Sequence, residues 1–147
     1  MALQASGPED RVEQLILLTE RLTELIAEQA RAFEERRPQD AAATIDESAR
    51  LANLYRHESM RIRGMPAMIA DAPADLRQRL LVCTEAFDAV LARHGRAVEA
   101  AKTVTDGLVK AIADEVANQR GRVSPYGQGL AISQQNASTA ITLNRTA

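Results

Sequence analysis

Residues 80–115 read LLVCTEAFDAVLARHGRAVEAAKTVTDGLVKAIADE and keep one heptad seam that no proline interrupts. The seam residues alternate in steps of four and three: Leu80, Thr84, Phe87, Leu91, His94, Val98, Ala101, Thr105, Leu108, Ile112 and Glu115. A stripe with this period stays on one side of a helix only when that helix lies along another helix. The pattern therefore predicts a long helix, over about residues 73–119, that needs helical partners.

Two shorter helices are predicted upstream, over about residues 8–36 and 40–63. The buried face of the first is expected to contain Val12, Leu15, Leu18, Leu22, Leu25, Ile26, Gln29, Ala32 and Phe33. The apolar face of the second is expected to contain Ile45, Ala49, Ala52, Tyr55 and Ile62, with Leu51 and Leu54 beside it. Because Pro38 breaks the first helix and suits the first turn of the next, the two should form an antiparallel hairpin.

Local signals mark the ends of these helices. Residues 6–9, Ser-Gly-Pro-Glu, match a capping box in which Ser6 and Glu9 bind the free amides of the first turn. Met68 and Ile69 fall in a short turn after the second helix, and Pro73 favours the start of the third. Gly121 is the expected cap at the end of the long helix.

The chain is therefore predicted to be one helical domain, residues 1–121, followed by a tail, residues 122–147. The tail contains no Asp or Glu and few large apolar residues, so we expect it to be flexible when free. The predicted fold is all-α: an antiparallel helical hairpin packed on a long third helix, in a coiled-coil-like three-helix bundle. Since the third helix is longer than the hairpin, part of its stripe should remain uncovered.

Composition narrows the classes of function. Hydrophobic residues make up 46% of the 147 residues but aromatic residues only 3%, which suits thin helical packing better than a thick core. The formal charge of −2 argues against a nucleic-acid partner. There is no apolar run long enough for membrane insertion. Because Cys83 is the single cysteine and cannot form an internal disulfide, a reducing, cytoplasmic location is expected.

The sequence carries no pattern typical of a catalytic, metal or cofactor site. A di-iron bundle needs Glu-x-x-His, but Leu54 and Leu91 stand three residues before His57 and His94. A zinc site needs more Cys and His ligands than this chain contains. Residues 126–129, Tyr-Gly-Gln-Gly, lack the Lys and the helix of a phosphate loop. We therefore expect a protein that is not an enzyme and that has no cofactor.

His94 is the unusual residue of the seam. One interpretation is a hydrogen-bonded polar residue that fixes helix register, and the other is a pH switch. We favour the first. The seam also contains the polar residues Thr84, Thr105 and Glu115. One interpretation is that the packing tolerates them, and the other is that a surface that binds a protein reversibly must stay soluble when no partner is bound.

The layout of the chain resembles the FlgN-type flagellar export chaperones. The resemblance rests on a helical hairpin, a longer third helix, and a tail that reads Ser-Pro-Tyr-Gly-Gln-Gly from residue 124 and Ala-Ile-Thr-Leu-Asn-Arg from residue 140. It implies a cytoplasmic chaperone that keeps flagellar hook-associated proteins unassembled and delivers them to type III export. Contact with components of the export apparatus stays open.

In that family the client is held mainly through the C-terminal part of the chaperone. Carried over to this sequence, the resemblance implies partner contacts at the end of the long helix and in the tail. The expected partner-binding residues are Leu108, Ile112, Val116, Tyr126, Leu130, Ile132, Ile141 and Leu143. The alternative is a non-catalytic coiled-coil adaptor or assembly factor of the flagellar basal body, which would act as a homodimer.

Overall fold

A computed structural model describes residues 2–123 of the chain, and within this range the fold is helical with no strand. Its helices are α1 (Pro8–Glu34), α2 (Pro38–Gly64), α3 (Ala67–Ala70) and α4 (Ala74–Val123). The all-α prediction is confirmed, including the short turn around Met68 and Ile69. Residues 124–147, which hold most of the predicted flexible tail, lie outside the described residues.

The chain divides into two units, residues 1–103 and residues 104–147. The first contains α1, α2, α3 and the part of α4 that ends at Thr103. The described part of the second is residues 104–123, which belong to α4. This helix continues through Gly121 to Val123, so Gly121 is not the cap that the sequence predicted.

Helices α1 and α2 form the predicted antiparallel hairpin. Arg11 pairs with Glu58 at 3.0 Å and Arg21 pairs with Glu47 at 2.9 Å, so residue numbers rise along one helix as they fall along the other. The face predicted for α1 is confirmed, with Ile26 and Phe33 half-buried at its edges. Pro38 opens α2 as predicted.

The buried face of α2 matches the predicted face only in part: Tyr55 and Ile62 are half-buried, and so are Leu51 and Leu54, which were expected beside it. Ile45, Ala49 and Ala52 are exposed. The buried and half-buried residues that keep a four-three spacing are instead Ala41, Thr44, Ser48, Leu51, Tyr55, Glu58 and Ile62. The prediction was wrong at Ile45, Ala49 and Ala52 because it counted apolar residues, whereas this face is partly polar and is held by hydrogen bonds.

Gln29 of α1 supplies part of that polar contact. Its side-chain amide donates to the hydroxyl oxygen of Thr44 at 3.1 Å and to that of Ser48 at 2.9 Å. Gln29 and Ser48 are both buried. Their hydrogen bond therefore avoids the loss of folding free energy that a buried polar group without a partner would cause.

The first turn of α1 also differs from the prediction. Ser6 does bind a carboxylate of the first turn, but the partner is Asp10 and not Glu9. The Ser6 amide donates to Asp10 Oδ2 at 2.8 Å, and its hydroxyl lies 3.1 Å from the same atom. Gly7 occupies the cap position and makes no side-chain cap.

Within the first unit, α4 packs on α1 and α2. Its first turns join a core cluster of Val12, Ile16, Ala72 and Leu76. The Glu34 carboxylate accepts two hydrogen bonds from Arg93, at 2.8 and 2.6 Å. The Phe87 ring meets the edge of Tyr55 with the ring centroids 5.1 Å apart.

The covered side of α4 in this unit is shifted from the predicted seam. Its buried and half-buried residues include Leu76, Leu80, Cys83, Thr84, Phe87, Val90, His94, Ala97 and Ala101. Leu91 and Val98, predicted for the seam, are 42% and 37% exposed. Val90 and Ala97, one residue earlier, are covered in their place, whereas Leu80, Thr84, Phe87, His94 and Ala101 lie on the covered side as predicted.

Candidate partner-binding surface

The second unit carries a row of exposed aliphatic side chains on α4, which we call the α4 stripe. It consists of Val104, Leu108, Val109, Ile112, Val116 and Val123, which are between 43% and 69% exposed. Val104, Leu108, Ile112, Val116 and Val123 follow one another at steps of four or seven residues, and Val109 lies three residues before Ile112, so all six fall on one side of a helix. Every residue from 104 to 123 is exposed, so the side chains of the stripe are open to water.

Three of the predicted partner-binding residues, Leu108, Ile112 and Val116, lie together on this stripe. The structure adds Val104, Val109 and Val123, which the heptad seam, counted in alternating steps of four and three, did not include. A period of 3.6 residues would have found Val104 and Val109. The other predicted residues, Tyr126, Leu130, Ile132, Ile141 and Leu143, lie outside the described residues.

The chemistry of the stripe suits binding. Covering an aliphatic side chain that is about half exposed stabilises a complex by roughly 1 kcal/mol. Several such side chains in a row on one helix form the surface on which an amphipathic partner helix packs. The stripe itself contains no titratable or nucleophilic side chain.

His94 lies on the covered side of α4, as predicted, but its side chain contacts an aromatic ring. The imidazole meets the edge of Phe33, with the ring centroids 6.0 Å apart. Burial lowers the pKa of His94 below its ordinary value because the charged form loses hydration. Among residues 2–123 it has no hydrogen-bond partner, so the expected hydrogen bond is not found there.

Cys83 is half-buried on the same side of α4, and its thiol lies 3.3 Å from the carbonyl oxygen of Leu80. Burial raises the pKa of this thiol, and the nearby Glu20 carboxylate acts in the same direction. A thiol held in its neutral form is a poor nucleophile.

Sequence reasoning missed Glu58, whose side chain is fully buried on α2. Its carboxylate accepts hydrogen bonds from the Leu3 amide at 3.0 Å, from Arg11 at 3.0 Å and from Arg61 at 2.9 Å. Burial alone would raise the pKa of Glu58, but these donors outweigh burial and lower the pKa below its ordinary value. A four-three spacing counted over polar as well as apolar residues, with Tyr55 before it and Ile62 after it, would have found it.

Two further observations concern the described residues as a set. No group of three or more His, Cys, Asp or Glu side chains in residues 2–123 could hold a metal ion. None of the helices in that range is both long and apolar enough to cross a membrane.

Comparison with known proteins gives a relative that matches along its whole length. The chain is 58% identical over 149 aligned residues to the flagellar basal-body protein FlbY of Caulobacter vibrioides, and the alignment covers all of both chains. No family model matches the sequence, and no solved structure matches it. The resemblance to FlgN-type chaperones therefore stays a prediction. The full-length identity shows that the chain belongs to the family of the flagellar protein FlbY.

Proposed function

We propose that this flagellar protein is a chaperone of the type III export pathway that acts in the cytoplasm. It binds a flagellar hook-associated protein and prevents that protein from assembling before secretion. The proposal assigns no catalytic step to the chain. Turnover of a substrate that depended on His57 or His94 would contradict it.

The observation that carries the proposal is the α4 stripe. Aliphatic side chains at helical spacing remain exposed to water over residues 104–123, although soluble proteins usually cover such rows or bind a partner there. Proteins that polymerise through terminal helices need those helices covered before assembly. A client helix that packs along the stripe would meet this need.

The tail would add contacts to the same client. Leu130, Ile132, Ile141 and Leu143 follow the stripe in sequence, with polar residues between them. The conformational entropy that such a segment loses on binding offsets part of the favourable contact energy. The complex can therefore dissociate readily. A chaperone must release its client at the export machinery, so moderate affinity suits this role.

A second candidate is a homodimeric adaptor or assembly factor of the basal body, and the name of the Caulobacter relative favours it. The α4 stripe alone supports it poorly. Its six exposed side chains present on the order of 500 Å² of surface per copy. Two copies paired only through the stripe would fall at or below the ~1,200 Å² that stable interfaces bury.

The test compares two triple variants of the full chain. In the first, Leu108→Glu, Ile112→Glu and Val116→Glu place charges on the stripe. In the control, Ala111→Glu, Ala117→Glu and Asn118→Glu place the same charges on exposed positions of α4 off the stripe. Calorimetric titration with a hook-associated protein should show a loss of about tenfold or more for the stripe variant. The control should bind as the unchanged chain does, and circular dichroism should show equal helix content.

Light scattering separates the two candidates. A monomer that forms a one-to-one complex with the hook-associated protein supports the chaperone. A dimer that persists on dilution and dissociates in the stripe variant supports the adaptor and contradicts the chaperone.

A further inference from the structure

Residues 2–6 lie ahead of α1 in a conformation that is not helical. Leu3 and Ala5 are half-buried, whereas Ala2, Gln4 and Ser6 are exposed. Exposure that alternates with a period of two residues is typical of an extended chain that lies on a surface. We call these residues segment 2–6.

Side chains of the hairpin bind the main chain of this segment. Glu58 accepts from the Leu3 amide at 3.0 Å, Gln14 donates to the Gln4 carbonyl oxygen at 2.9 Å, and Asp10 accepts from the Ser6 amide at 2.8 Å. Contacts of this kind recognise a peptide backbone whatever its side chains are. Pockets for alternate side chains then provide the specificity.

The binding side chains are also held in place by contacts that do not involve the segment. Glu58 is fully buried and pairs with Arg11 and Arg61. The Gln14 amide donates to Asp10 Oδ1 at 2.9 Å as well as to Gln4. The site would therefore keep its geometry if segment 2–6 left it, which is a property of a preorganised binding site.

We infer that Asp10, Gln14 and Glu58 form a binding site for an extended peptide, and that segment 2–6 occupies this site within the same chain. The fitting ligand has aliphatic or small side chains at alternate positions, as Leu3 and Ala5 do. The inference does not depend on the proposed function, which rests on the α4 stripe.

Occupation from within the chain explains how the site would be regulated. A tethered segment reaches an effective concentration in roughly the millimolar range, so a separate peptide must compete with it. The segment is held by few hydrogen bonds, each of which water can replace. Local release can therefore occur without unfolding of the helices.

The test uses variants of the full chain and a labelled probe peptide, acetyl-Ala-Leu-Gln-Ala-Ser-amide, which copies segment 2–6. Leu3→Pro removes the amide that donates to Glu58, because proline has no N–H. Leu3→Ala is the matched control, since it also loses the leucine side chain but keeps the amide. Fluorescence anisotropy measures probe binding, and circular dichroism verifies the helices.

We expect the probe to bind the Leu3→Pro variant roughly tenfold or more tightly than the Leu3→Ala variant. Adding Gln14→Ala or Glu58→Gln to the Leu3→Pro variant should remove most of this binding. Gln14→Ala keeps the test valid if Glu58→Gln unfolds the chain. Equal affinities for the two Leu3 variants, or no binding to either, would overturn the inference. Client binding through the α4 stripe should be unchanged in every variant.

Discussion

Glu58 is a charged residue on a helix face that otherwise carries mainly small, hydroxyl and apolar side chains. A buried carboxylate is tolerated only when charged or hydrogen-bonding partners surround it. Arg11 brings α1 to this carboxylate, and Leu3 brings segment 2–6. One residue thus joins three parts of the chain.

Replacing Glu58 with alanine should lower the free energy of unfolding by about 2–3 kcal/mol. The change leaves the nearly buried Arg11 guanidinium without its carboxylate and the Leu3 amide without its acceptor. Urea unfolding followed by circular dichroism measures the effect. Glu47→Ala is the control, because its pair with Arg21 is exposed and solvent screening leaves such a pair with little effect on stability. Equal losses in the two variants would contradict this account.

His94 should make the stability of the first unit depend on pH near neutrality. Because burial lowers the pKa of His94 in the folded chain, the unfolded chain binds the proton more readily. Stability is therefore complete above the ordinary histidine pKa of 6.5, and it falls as the pH drops through that value toward the lower folded pKa.

Urea midpoints between pH 7.5 and pH 5.5 should show this decline. His94→Leu should flatten it, and His57→Gln, a change at an exposed histidine, should keep it. A slope that stays the same in His94→Leu would show that other groups cause it. The decline should be gradual, because one half-buried imidazole with a single ring contact is involved.

At the level of elements, the turn between α1 and α2 carries local strain. Arg36 has a φ of 60°, in the left-handed region. Its amide donates to the Phe33 carbonyl at 3.1 Å, and the Arg37 amide donates to the Ala32 carbonyl at 2.8 Å. This is the Schellman arrangement, in which glycine usually occupies the position of Arg36.

Arg36→Gly should therefore raise the free energy of unfolding by about 0.5–1 kcal/mol, since glycine adopts this conformation without a Cβ clash. Arg36→Ala is the control, because it removes the same charge but keeps the Cβ atom, and it should not stabilise the chain. Thermal unfolding measures both. Stabilisation by alanine as large as that by glycine would point to charge and not to backbone conformation.

The sequence predicted the positions of the helices more accurately than it predicted the contacts between them. Proline positions and apolar periodicity predicted α1, α2, the short turn at α3 and α4 to within a few residues. The faces of α2 and α4 were less accurate. Polar side chains such as Ser48 and Glu58 belong to a packed face only when a hydrogen-bonding partner on another helix, such as Gln29 or Arg11, lies opposite them. A prediction based on the spacing of apolar residues contains no information about that partner.

At the level of the whole molecule, the buried core residues and the ion pairs described above lie within residues 11–97, and the α4 stripe lies within residues 104–123. Ending the chain after Val123 should therefore leave the helix content and the urea midpoint nearly unchanged. If the tail contacts the client as proposed, the same truncation should abolish binding of a hook-associated protein in a pull-down. Unchanged binding would remove the tail from the mechanism.

The sequence by itself determined the fold class, the three long helices with their connections, and an aliphatic surplus at the end of α4 that includes Leu108, Ile112 and Val116. These properties depend on local spacing and on proline, which act within a few residues along the chain. Only the tertiary structure decided which side of α2 is covered, that Phe33 contacts His94, and that Glu58 holds segment 2–6. The partners in these contacts are 47, 55 or 61 residues apart in sequence, so their chemistry becomes visible only when the helices are packed together.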